Sequence, residues 1–528
     1  MIPPQIRDLI YVLAAIFFIF DLKWMSHPRT ALRGNYAGVL GMVLAIAATV
    51  FSQSLDWGTM AIGVGIGTVI GLVAALRIKM TSMPEMVGVL NGFGGAASVL
   101  VAGAAVIAAV SALSGAAGQA VGLQTRVATV ASALIGSVTF FGSYVAFGKL
   151  AEFLGVKWKL HTWQKIIKYG FSAIVIAGAG WYGVTQGIQP HGAGSSEGLM
   201  GIAVIVCGLL IGGILLRKKD RFPGMNALKG ISFLASMGVG VMLVQQPENQ
   251  MLFWVLAAAA GVLGVLLTLS IGGADMPVVI ALLNSYSGLA AAATGFVINN
   301  TVLIIAGSLV GASGVILTNI MCKAMNRSLT NVLFGVMGPT SETPDADEVY
   351  KSVKSTSADE IAMMLDGAQR VVIVPGYGMA VAQAQHAVKN FAAMLEERGA
   401  LVEYGIHPVA GRMPGHMNVL LAEADVDYDK LRDMDEINAE MDQVDVVIVL
   451  GANDVVNPVA RTDPQSPIAG MPIIDVDKAR TVVVIKRSLS PGFAGIPNPL
   501  FSLDNTLMFY SDGKVAVQAM ITAVKENL

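Results

Sequence analysis

A glycine-rich turn in the last third of the sequence has the clearest potential for chemistry. The apolar run 371–374 leads into Pro375-Gly376-Tyr377-Gly378-Met379-Ala380-Val381, which has the spacing G-x-G-x-x-V. Between a strand and a helix, this spacing lets a pyrophosphate approach the backbone N–H groups of the helix N-terminus. Because an apolar run, the glycine turn and a helical pattern follow in this order, the segment predicts a dinucleotide site. The alternative is a plain tight turn between a strand and a helix.

A basic triplet, Lys486-Arg487-Ser488, follows the apolar run 481–485. Two cations and a hydroxyl can hold a 2′-phosphate through charge-assisted hydrogen bonds. A site for NAD instead has an acidic residue at the end of the second strand. Here the run 401–406 is followed by His407, and Glu403 comes too early. The sequence therefore predicts a preference for NADP(H), with a solvated basic loop as the alternative.

Two further segments follow apolar runs. Gly451-Ala452-Asn453-Asp454 comes directly after the run 444–450, and Asp454 is placed to bond a ligand or to report its charge through a shifted pKa. The alternative there is an Asx-type turn. The segment 409–416 has glycines on both sides of Arg412, which suits a mobile clamp over a nucleotide, although an inert loop has the same composition.

Elements that would position these segments are indicated by short β-branched runs that alternate with helical patterns. Amphipathic stretches such as 380–398 lie between several of the predicted strands, which are 371–374, 401–406, 444–450, 473–476 and 481–485. This alternation predicts a parallel sheet covered by helices on both faces. Residues 369–528 are therefore expected to form a soluble, Rossmann-like, doubly wound α/β domain, and the polar stretch 325–368 to form a linker.

The remainder of the chain has the composition of a membrane protein. Of the 528 residues, 54% are hydrophobic and only 13% are charged, and the mean hydropathy is +0.66. About eleven apolar runs of bilayer length are predicted as spans, near 6–22, 34–53, 57–76, 86–112, 126–148, 166–187, 197–216, 226–245, 250–271, 276–297 and 301–323. Residues 1–324 are thus expected to form a polytopic α-helical membrane domain.

Charge gives the predicted orientation. Lys and Arg are concentrated in the loops after the first, third, fifth and seventh predicted spans. By the positive-inside rule, the N-terminus is outside and the region after Lys323 is in the cytoplasm. A net charge of −2 offers no basic footprint for nucleic acid. Cys207 and Cys322 fall in or beside apolar runs, which suits neither a disulfide framework nor a metal site.

Charged residues inside a bilayer are costly and are usually functional. The middles of the predicted spans contain no Asp, Glu, Lys, Arg or His; the polar residues there are Asn91, Ser143, Asn284, Ser285, Tyr286 and Ser287. These side chains either order a file of water or hydrogen-bond neighbouring helices. Asp275, at the mouth of a predicted span, is the best acid on the cytoplasmic side, with a simple helix-start role as the alternative.

Together these segments resemble the β subunit of the proton-translocating NAD(P)+ transhydrogenases. The similar stretches are 145–149, 272–278, 283–288, 321–327, 376–384, 405–424, 434–438, 451–454, 466–472 and 486–488. The resemblance implies hydride exchange between NAD(H), held by a separate domain or subunit, and NADP(H), held here, coupled to proton passage through the membrane half. No catalytic side chain is implied, because direct transfer between two aligned nicotinamides needs none.

The motifs and the resemblance together define a candidate nucleotide site. Its members are Gly376, Tyr377, Gly378, Met379, Ala380, Val381, Ala382, Val409, Ala410, Gly411, Arg412, Met413, Pro414, Gly451, Ala452, Asn453, Asp454, Val455, Gly470, Met471, Lys486, Arg487, Ser488, Phe493, Asp512 and Gly513. The resemblance implies that NADP(H) lies reversed across the sheet relative to ordinary dehydrogenases. It also favours a wet proton path lined by Asn91, Ser143 and Asn284 and leading toward Asp275. No metal site is predicted.

Three departures from the family pattern stand out. Asn91 replaces a histidine that some relatives have in the fourth span, which removes an obvious proton carrier. Phe493 replaces a tyrosine that many relatives have, which removes a hydroxyl contact to the nucleotide. The region 150–270 is predicted to hold about two more spans than shorter members have, an even number that leaves the topology unchanged.

The resemblance also implies partners and a location. The expected partners are one or more α subunits with the NAD(H)-binding domain and further membrane helices, in a dimer of the whole assembly in a bacterial cytoplasmic (inner) membrane. One alternative is an ion channel or transporter gated by a nucleotide-sensing domain, but the sequence has no TVGYG-type filter. Another is a membrane anchor for a soluble NADPH dehydrogenase, but no flavin site or catalytic acid or base is recognisable.

Overall fold

The chain forms two compact units by packing. One comprises Met1–Ile271 and Val279–Ile316, and the other comprises Gly272–Val278 and Leu317–Leu528. The computed structural model describes residues 3–25, 28–52, 57–78, 82–113, 122–154, 162–189, 194–216, 224–247, 249–272, 275–334, 349–350, 352–413, 415–492 and 494–527. Residues 335–348 of the predicted linker, and most of the basic loops used for the orientation, lie outside these ranges. The domain boundaries at 324 and 368 therefore stay predictions.

Helices account for the apolar part of the chain in the described residues. They are α1 Pro4–Met25, α2 Pro28–Ser52, α3 Trp57–Arg77, α4 Met83–Leu113, α5 Leu123–Leu150, α6 Thr162–Tyr182, α7 Ser196–Leu216, α8 Met225–Gln245, α9 Gln250–Leu269, α10 Met276–Val297 and α11 Thr301–Ala324. A π-helical turn, Gly183–Ile188, continues α6.

The predicted count of about eleven spans is not exact. Within the described residues, nine helices, α2 to α5 and α7 to α11, are long and apolar enough to cross a membrane. Helix α1 is helical over the predicted first span, but Arg7, Asp8, Asp21 and Lys23 make it more charged than these nine. Helix α6, whose first turns contain Lys165 and Lys168, is not among these nine.

Small residues let the apolar helices of the first unit pack closely. A Cβ on Gly95 of α4 would lie 2.6 Å from the carbonyl oxygen of Gly136 on α5. A Cβ on Gly288 of α10 would similarly lie 2.8 Å from the carbonyl oxygen of Gly307 on α11. These backbone contacts leave no room for a side chain, so they fix the positions of the polar residues on α4, α5 and α10.

The second unit contains a seven-stranded sheet whose paired strands are all parallel. Its strands are β1 Lys354–Ser355, β2 Arg370–Pro375, β3 Leu401–Ile406, β4 Leu431–Asp433, β5 Val446–Leu450, β6 Thr481–Lys486 and β7 Thr506–Tyr510. The order across the sheet is β1-β7-β6-β5-β2-β3-β4, which is doubly wound and confirms the predicted fold class. Strands β2, β5 and β6 are Val-rich and almost wholly buried, as expected with helices on both faces.

Helices of the second unit connect these strands. They are α12 Leu329–Phe334, α13 Ala358–Leu365, α14 Tyr377–Ala382, α15 Gln385–Glu397, α16 His416–Glu423, α17 Met434–Asn438, α18 Val459–Thr462 and α19 Gly513–Asn527, with short 3-10 turns at Tyr428–Lys430, Met441–Gln443, Asp454–Val456, Val476–Lys478 and Pro499–Ser502. The predicted amphipathic stretch 380–398 is split, because Gln383 has a φ of 52° and ends α14 in the left-handed region.

One predicted strand is wrong. The run 473–476 pairs with no strand and continues into the 3-10 turn Val476–Lys478. Ile473 and Ile474 are nevertheless buried, and the backbone N–H of Ile474 donates to the carbonyl oxygen of Val455. A short apolar run has the same pattern whether it pairs in a sheet or packs as a buried connection, so the pattern alone did not separate the two.

Candidate functional site

Strands β2 and β5 lie side by side at the centre of the sheet, and the chain leaves them in opposite directions. Ligands of open α/β sheets bind at the carboxyl edge of such a switch point. Here backbone hydrogen bonds join the turns that follow β2 and β5. The N–H of Gly376 donates to the carbonyl oxygen of Leu450, and that of Gly378 to the carbonyl oxygen of Gly451, both at 2.9 Å. The structure therefore brings 376–382 and 451–452 together.

The glycines of the two turns interlock. A Cβ on Gly378 would lie 2.6 Å from the Cα of Gly451, and a Cβ on Gly376 would meet the backbone of Ala452. Gly451 also has a φ of +68°, which a larger residue rarely adopts. In the sequence analysis, these glycines are explained by the close approach of a ligand to the backbone. The contacts give them a second role, since only glycine lets the two turns touch.

A third predicted segment joins the interlocked turns. A Cβ on Gly513, the first residue of α19, would lie 3.2 Å from the Cβ of Ala382 and 3.4 Å from Cδ1 of Leu450. The side chain of Asp512 accepts the backbone N–H of Lys514 and caps this helix. The segment 512–513 thus lies beside the end of α14, as the predicted site requires.

Asp454 and the segment 486–494 form one cluster. The Asp454 carboxylate accepts the backbone N–H of Ala494 at 2.9 Å, and a Cβ on Gly492 would lie 2.8 Å from its Cγ. Lys486 Nζ donates to the carbonyl oxygen of Ser490 at 2.8 Å and lies 4.9 Å from the centre of the Phe501 ring. Burial lowers the pKa of Lys486 to about 8, and the charge of Asp454 opposes this shift.

The other two members of the basic triplet are open to solvent. Arg487 and Ser488 are exposed, and the Ser488 hydroxyl lies 2.9 Å from that of Ser490. They follow β6 at the sheet edge next to the end of β5. A guanidinium and a hydroxyl are therefore available to an anion at this edge, while Lys486 also holds its own loop. Phe493 lies outside the described residues.

Asn498 stabilises this cluster through hydrogen bonds. The sequence analysis did not identify it. It is fully buried, its Nδ2 donates to the carbonyl oxygen of Asn453 at 3.1 Å, and its backbone N–H donates to the Tyr350 hydroxyl at 3.0 Å. The ring of Tyr350 stacks on that of Phe501. Its position between Pro497 and Pro499 was the signal that a fixed turn was needed there.

The loop 407–416 reaches the glycine turn from the other side. The guanidinium of Arg412 lies 4.4 Å from the centre of the Tyr377 ring, a cation–π contact. At the base of the loop His407 is buried, its Nε2 lies 2.8 Å from the carbonyl oxygen of Pro472, and its Nδ1 accepts the backbone N–H of Val409. Burial lowers the pKa of His407 to about 4, so the ring is neutral at physiological pH. Pro414 lies outside the described residues.

Gly470 and Met471 have different surroundings from the other predicted members. Met471 packs in a small apolar cluster with Ala460, Ile468, Ile473 and Ile496. Gly470 faces the side chain of Asn326, whose Nδ2 donates to the carbonyl oxygen of Ala469 at 3.3 Å. Asn326 and the loop around Gly470 belong to the same compact unit, and Asn326 lies two residues after the last residue of α11.

Glu403 has a structural partner on the sheet. It is buried and forms an ion pair with Arg370 at 2.7 Å, with Arg432 at 3.5 Å on the other carboxylate oxygen. Its position within β3, before the strand's carboxyl end, agrees with the absence of an NAD-type ribose acid there. Among the described residues, no group of three or more His, Cys, Asp or Glu is placed to hold a metal ion.

In the first unit, two of the predicted path residues are buried without partners. Asn91 Nδ2 and Ser143 Oγ have no hydrogen-bond partner in the part of the chain that is described. A Cβ on Gly92 would lie 3.2 Å from the Cβ of Ser143, so Ser143 lies against α4 where Asn91 occurs. Asn284 is half-buried on α10. By contrast, Ser285 next to it donates to the carbonyl oxygen of Gly311.

Asp275 has a partner that the sequence analysis did not assign. In the second unit, Nη1 of Arg327 lies 3.0 Å from both carboxylate oxygens of Asp275, which is only 2% exposed. Burying a lone carboxylate would be costly, and the guanidinium offsets that cost. The available signal was the position of Arg327, which follows the last predicted span in the stretch 321–327 that carries the family resemblance.

Comparison with known proteins agrees with this architecture. A sequence model of the family described as NAD(P) transhydrogenase beta subunit matches residues 7–217 and 198–523. The two ranges overlap within α7, inside the region for which additional spans are predicted. Two curated proteins from Rhodospirillum rubrum, both called NAD(P) transhydrogenase subunit beta, are 40% identical over 517 residues, covering 97% of this chain and 98% of the relative. The chain belongs to the NAD(P) transhydrogenase beta subunit family.

Proposed function

We propose that this integral membrane protein binds NADP(H) and exchanges hydride with NAD(H) on a partner subunit, while protons cross through its apolar helices. One observation supports this best: in the described part of this chain, nine helices that could cross a membrane occur together with a parallel sheet whose switch point has interlocked glycine turns. The basic segment 486–488 lies at the adjoining strand end. Because 1–324 carries the apolar helices and 369–528 carries six of the seven described strands, β1 Lys354–Ser355 being the exception, we assign proton passage to the first range and nucleotide binding to the second.

The preference for NADP(H) over NAD(H) rests on charge at the sheet edge. Arg487 and Ser488 offer donors to a 2′-phosphate, and Lys486 adds a second cation. On the other side of the switch point, β3 is followed by His407, whose ring is hydrogen-bonded to the backbones of Pro472 and Val409. The residue directly after β3 is therefore a histidine and not a carboxylate for a ribose 2′-hydroxyl, whereas a 2′-phosphate would meet positive charge at the end of β6.

Hydride transfer places few demands on side-chain chemistry. Two nicotinamide rings need alignment and exclusion of water, and the cofactor supplies the reactive atoms. In this chain the glycine turn, the loop 407–412 and the segment 486–494 would hold NADP(H) and position its ring toward the partner. The partner would be an α subunit with the NAD(H)-binding domain and further membrane helices. We place the assembly, as a dimer of the whole complex, in the bacterial inner membrane, with the N-terminus outside and the sheet in the cytoplasm.

Reconstitution tests this function and separates it from its alternatives. The full chain is placed in vesicles with and without a candidate NAD-binding partner, and hydride exchange and internal pH are followed together. Both signals are expected only when the partner and both nucleotides are present. Proton movement that needs no hydride exchange would favour a nucleotide-gated channel. Hydride exchange with no change of internal pH would favour a membrane-anchored dehydrogenase.

Replacing Asp454 with asparagine is expected to move the pH dependence of NADP(H) binding and release. The Asp454 charge supports the charged form of Lys486, whose pKa is about 8. Without that carboxylate the pKa of Lys486 falls further, so the lysine loses its charge, and its attraction for phosphate, at a lower pH. In titrations of the full chain, the weakening of NADP(H) binding at alkaline pH should therefore begin at lower pH in the variant.

A matched control is available for the Asp454 experiment. Asp504 is exposed and pairs with Lys354, so Asp504→Asn removes one carboxylate from the same unit without touching Lys486. Its pH profile is expected to follow that of the unmodified chain. If Asp454→Asn also keeps that profile with its fold intact, Asp454 is only a turn residue.

A further inference from the structure

His416 is a buried histidine at the start of α16, outside the candidate nucleotide site defined from the sequence. It is 0% exposed. Its Nδ1 accepts the backbone N–H of Arg412 at 3.1 Å. Because Nδ1 accepts, the neutral ring carries its proton on Nε2, and Nε2 is buried with no hydrogen-bond partner among the described residues. Among the described residues, the hydrogen bond of this ring is thus made to the backbone N–H of Arg412.

The loop is shaped around this ring. Gly411 has a φ of +109°, and a Cβ there would lie 2.5 Å from Nδ1 of His416. The next residue, Arg412, sends its guanidinium over the ring of Tyr377. Tyr377 is the first residue of α14, directly after Gly376 of the interlocked turns. A continuous set of contacts therefore leads from His416 through the backbone of Arg412 to the glycine turn.

The ring is not placed to act as a cation. Burial and the nearby charge of Arg412 lower the pKa of His416 to about 4, so it is neutral at physiological pH. The buried N–H at Nε2 is unpaired among the described residues, which is unfavourable. An apolar side chain of the same volume would avoid that cost. The feature that an apolar residue lacks is the acceptor at Nδ1.

We propose that His416 is a positioning residue for nucleotide binding: its Nδ1 fixes the backbone of Arg412 and so holds the guanidinium at the glycine turn, where it faces a pyrophosphate. This proposal rests on the proposed binding of NADP(H) by this unit. His416 itself touches no nucleotide in this role. Its contribution depends on Arg412, and that dependence can be measured.

Three substitutions of His416 separate its two nitrogens. His416→Asn keeps an acceptor where Nδ1 lies, His416→Gln keeps a polar group only near Nε2, and His416→Ala removes both. In the purified full chain, the dissociation constant for NADP(H) is expected to rise about five- to tenfold in the Ala and Gln variants, the scale of one lost hydrogen bond. The Asn variant is expected to stay within about twofold of the unmodified chain.

A double-mutant cycle tests the route through Arg412. On an Arg412→Ala background, His416→Ala is expected to change NADP(H) affinity by less than about twofold, because the guanidinium that it positions is gone. Rescue by Gln instead of Asn would overturn the proposal in favour of Nε2. Equal loss in all three variants would assign His416 to packing alone, and no loss in any would remove it from binding. Failure of the unmodified chain to bind NADP(H) would instead refute the proposed function.

Discussion

The double variant Lys486→Ala/Arg487→Ala is expected to bind NADP(H) at least about 100-fold more weakly than the unmodified chain. Each charge-assisted hydrogen bond to a phosphate contributes about 1.5–3 kcal/mol, and about 1.4 kcal/mol corresponds to a tenfold change in affinity. Two such bonds at an edge that is partly open to water therefore amount to about 3 kcal/mol or more. Because the loss falls on the 2′-phosphate, the preference over NAD(H) should disappear with it. Calorimetric titration of the full chain with both nucleotides measures this.

The single variants assign the effect within the triplet. Lys486 also holds Ser490 and packs on Phe501, so Lys486→Met keeps its stem while removing its charge. Arg480 serves as the matched control, because it lies before the first residue of β6, at the opposite end of the strand, and pairs with Asp445. Arg480→Ala should leave NADP(H) affinity unchanged. Retention of NADP(H) preference in the double variant would show that another segment recognises the 2′-phosphate.

Asn91→Leu is expected to abolish proton passage while the chain still folds and binds nucleotide. A proton crossing about 30 Å of hydrocarbon needs water or titratable groups, and the polar groups at depth in this chain are amides and hydroxyls. Among the described residues, Asn91 Nδ2 and Ser143 Oγ are buried without partners, as expected for groups that bind water rather than a neighbouring helix. A leucine at this position cannot hydrogen-bond water, so it would exclude water from the proposed proton path. Internal pH of reconstituted vesicles is the measurement.

The same argument assigns the titrating group to the partner. Since the family resemblance implies that some relatives have a histidine where Asn91 stands, we expect a histidine of a partner membrane helix to approach this position. Asn91→His should then restore proton passage when the partner's histidine is removed. Ser98→Ala is a control on the same helix, because the Ser98 hydroxyl already donates its proton to the carbonyl oxygen of Gly94. Pumping with a partner that has no membrane histidine or carboxylate would refute the assignment.

Four of the seven described strands were predicted from the sequence, whereas the short edge strands β1 and β4 and the five-residue strand β7 were not. The strands β2, β3, β5 and β6 were found within two residues of their ends, because β2, β5 and β6 appear as nearly continuous apolar runs and β3 is interrupted by only one charged residue, Glu403. Strands β1 and β4 have two and three residues and polar sequences, so their pairing depends on neighbours that the sequence does not reveal. The run 473–476 shows the reverse case, with apolar character but no strand partner.

The candidate site was predictable in its segments but not in its internal contacts. The glycine turn, Asp454 and the segment after β6 have recognisable composition, and the structure brings them to one sheet edge. The partners of Arg412 and Asp275 were not predictable, since His416 and Arg327 are linked to them by folding rather than by a motif. A sequence motif identifies the residues that contact a ligand. The residues that hold those contact residues in place have no fixed spacing from them and are harder to recognise in the sequence.

The interlocked glycine turns have a consequence for redesign. Gly376, Gly378 and Gly451 meet through main-chain atoms, so any side chain introduced there must displace two central strands together. These three glycines at the carboxyl ends of β2 and β5 therefore tolerate almost no substitution. In the segment 486–488, Arg487 and Ser488 have exposed side chains, whereas Lys486 is the last residue of β6 and donates to Ser490. To change the preference from one nicotinamide cofactor to the other, substitutions should be made in the segment 486–488, and the three glycines should be kept.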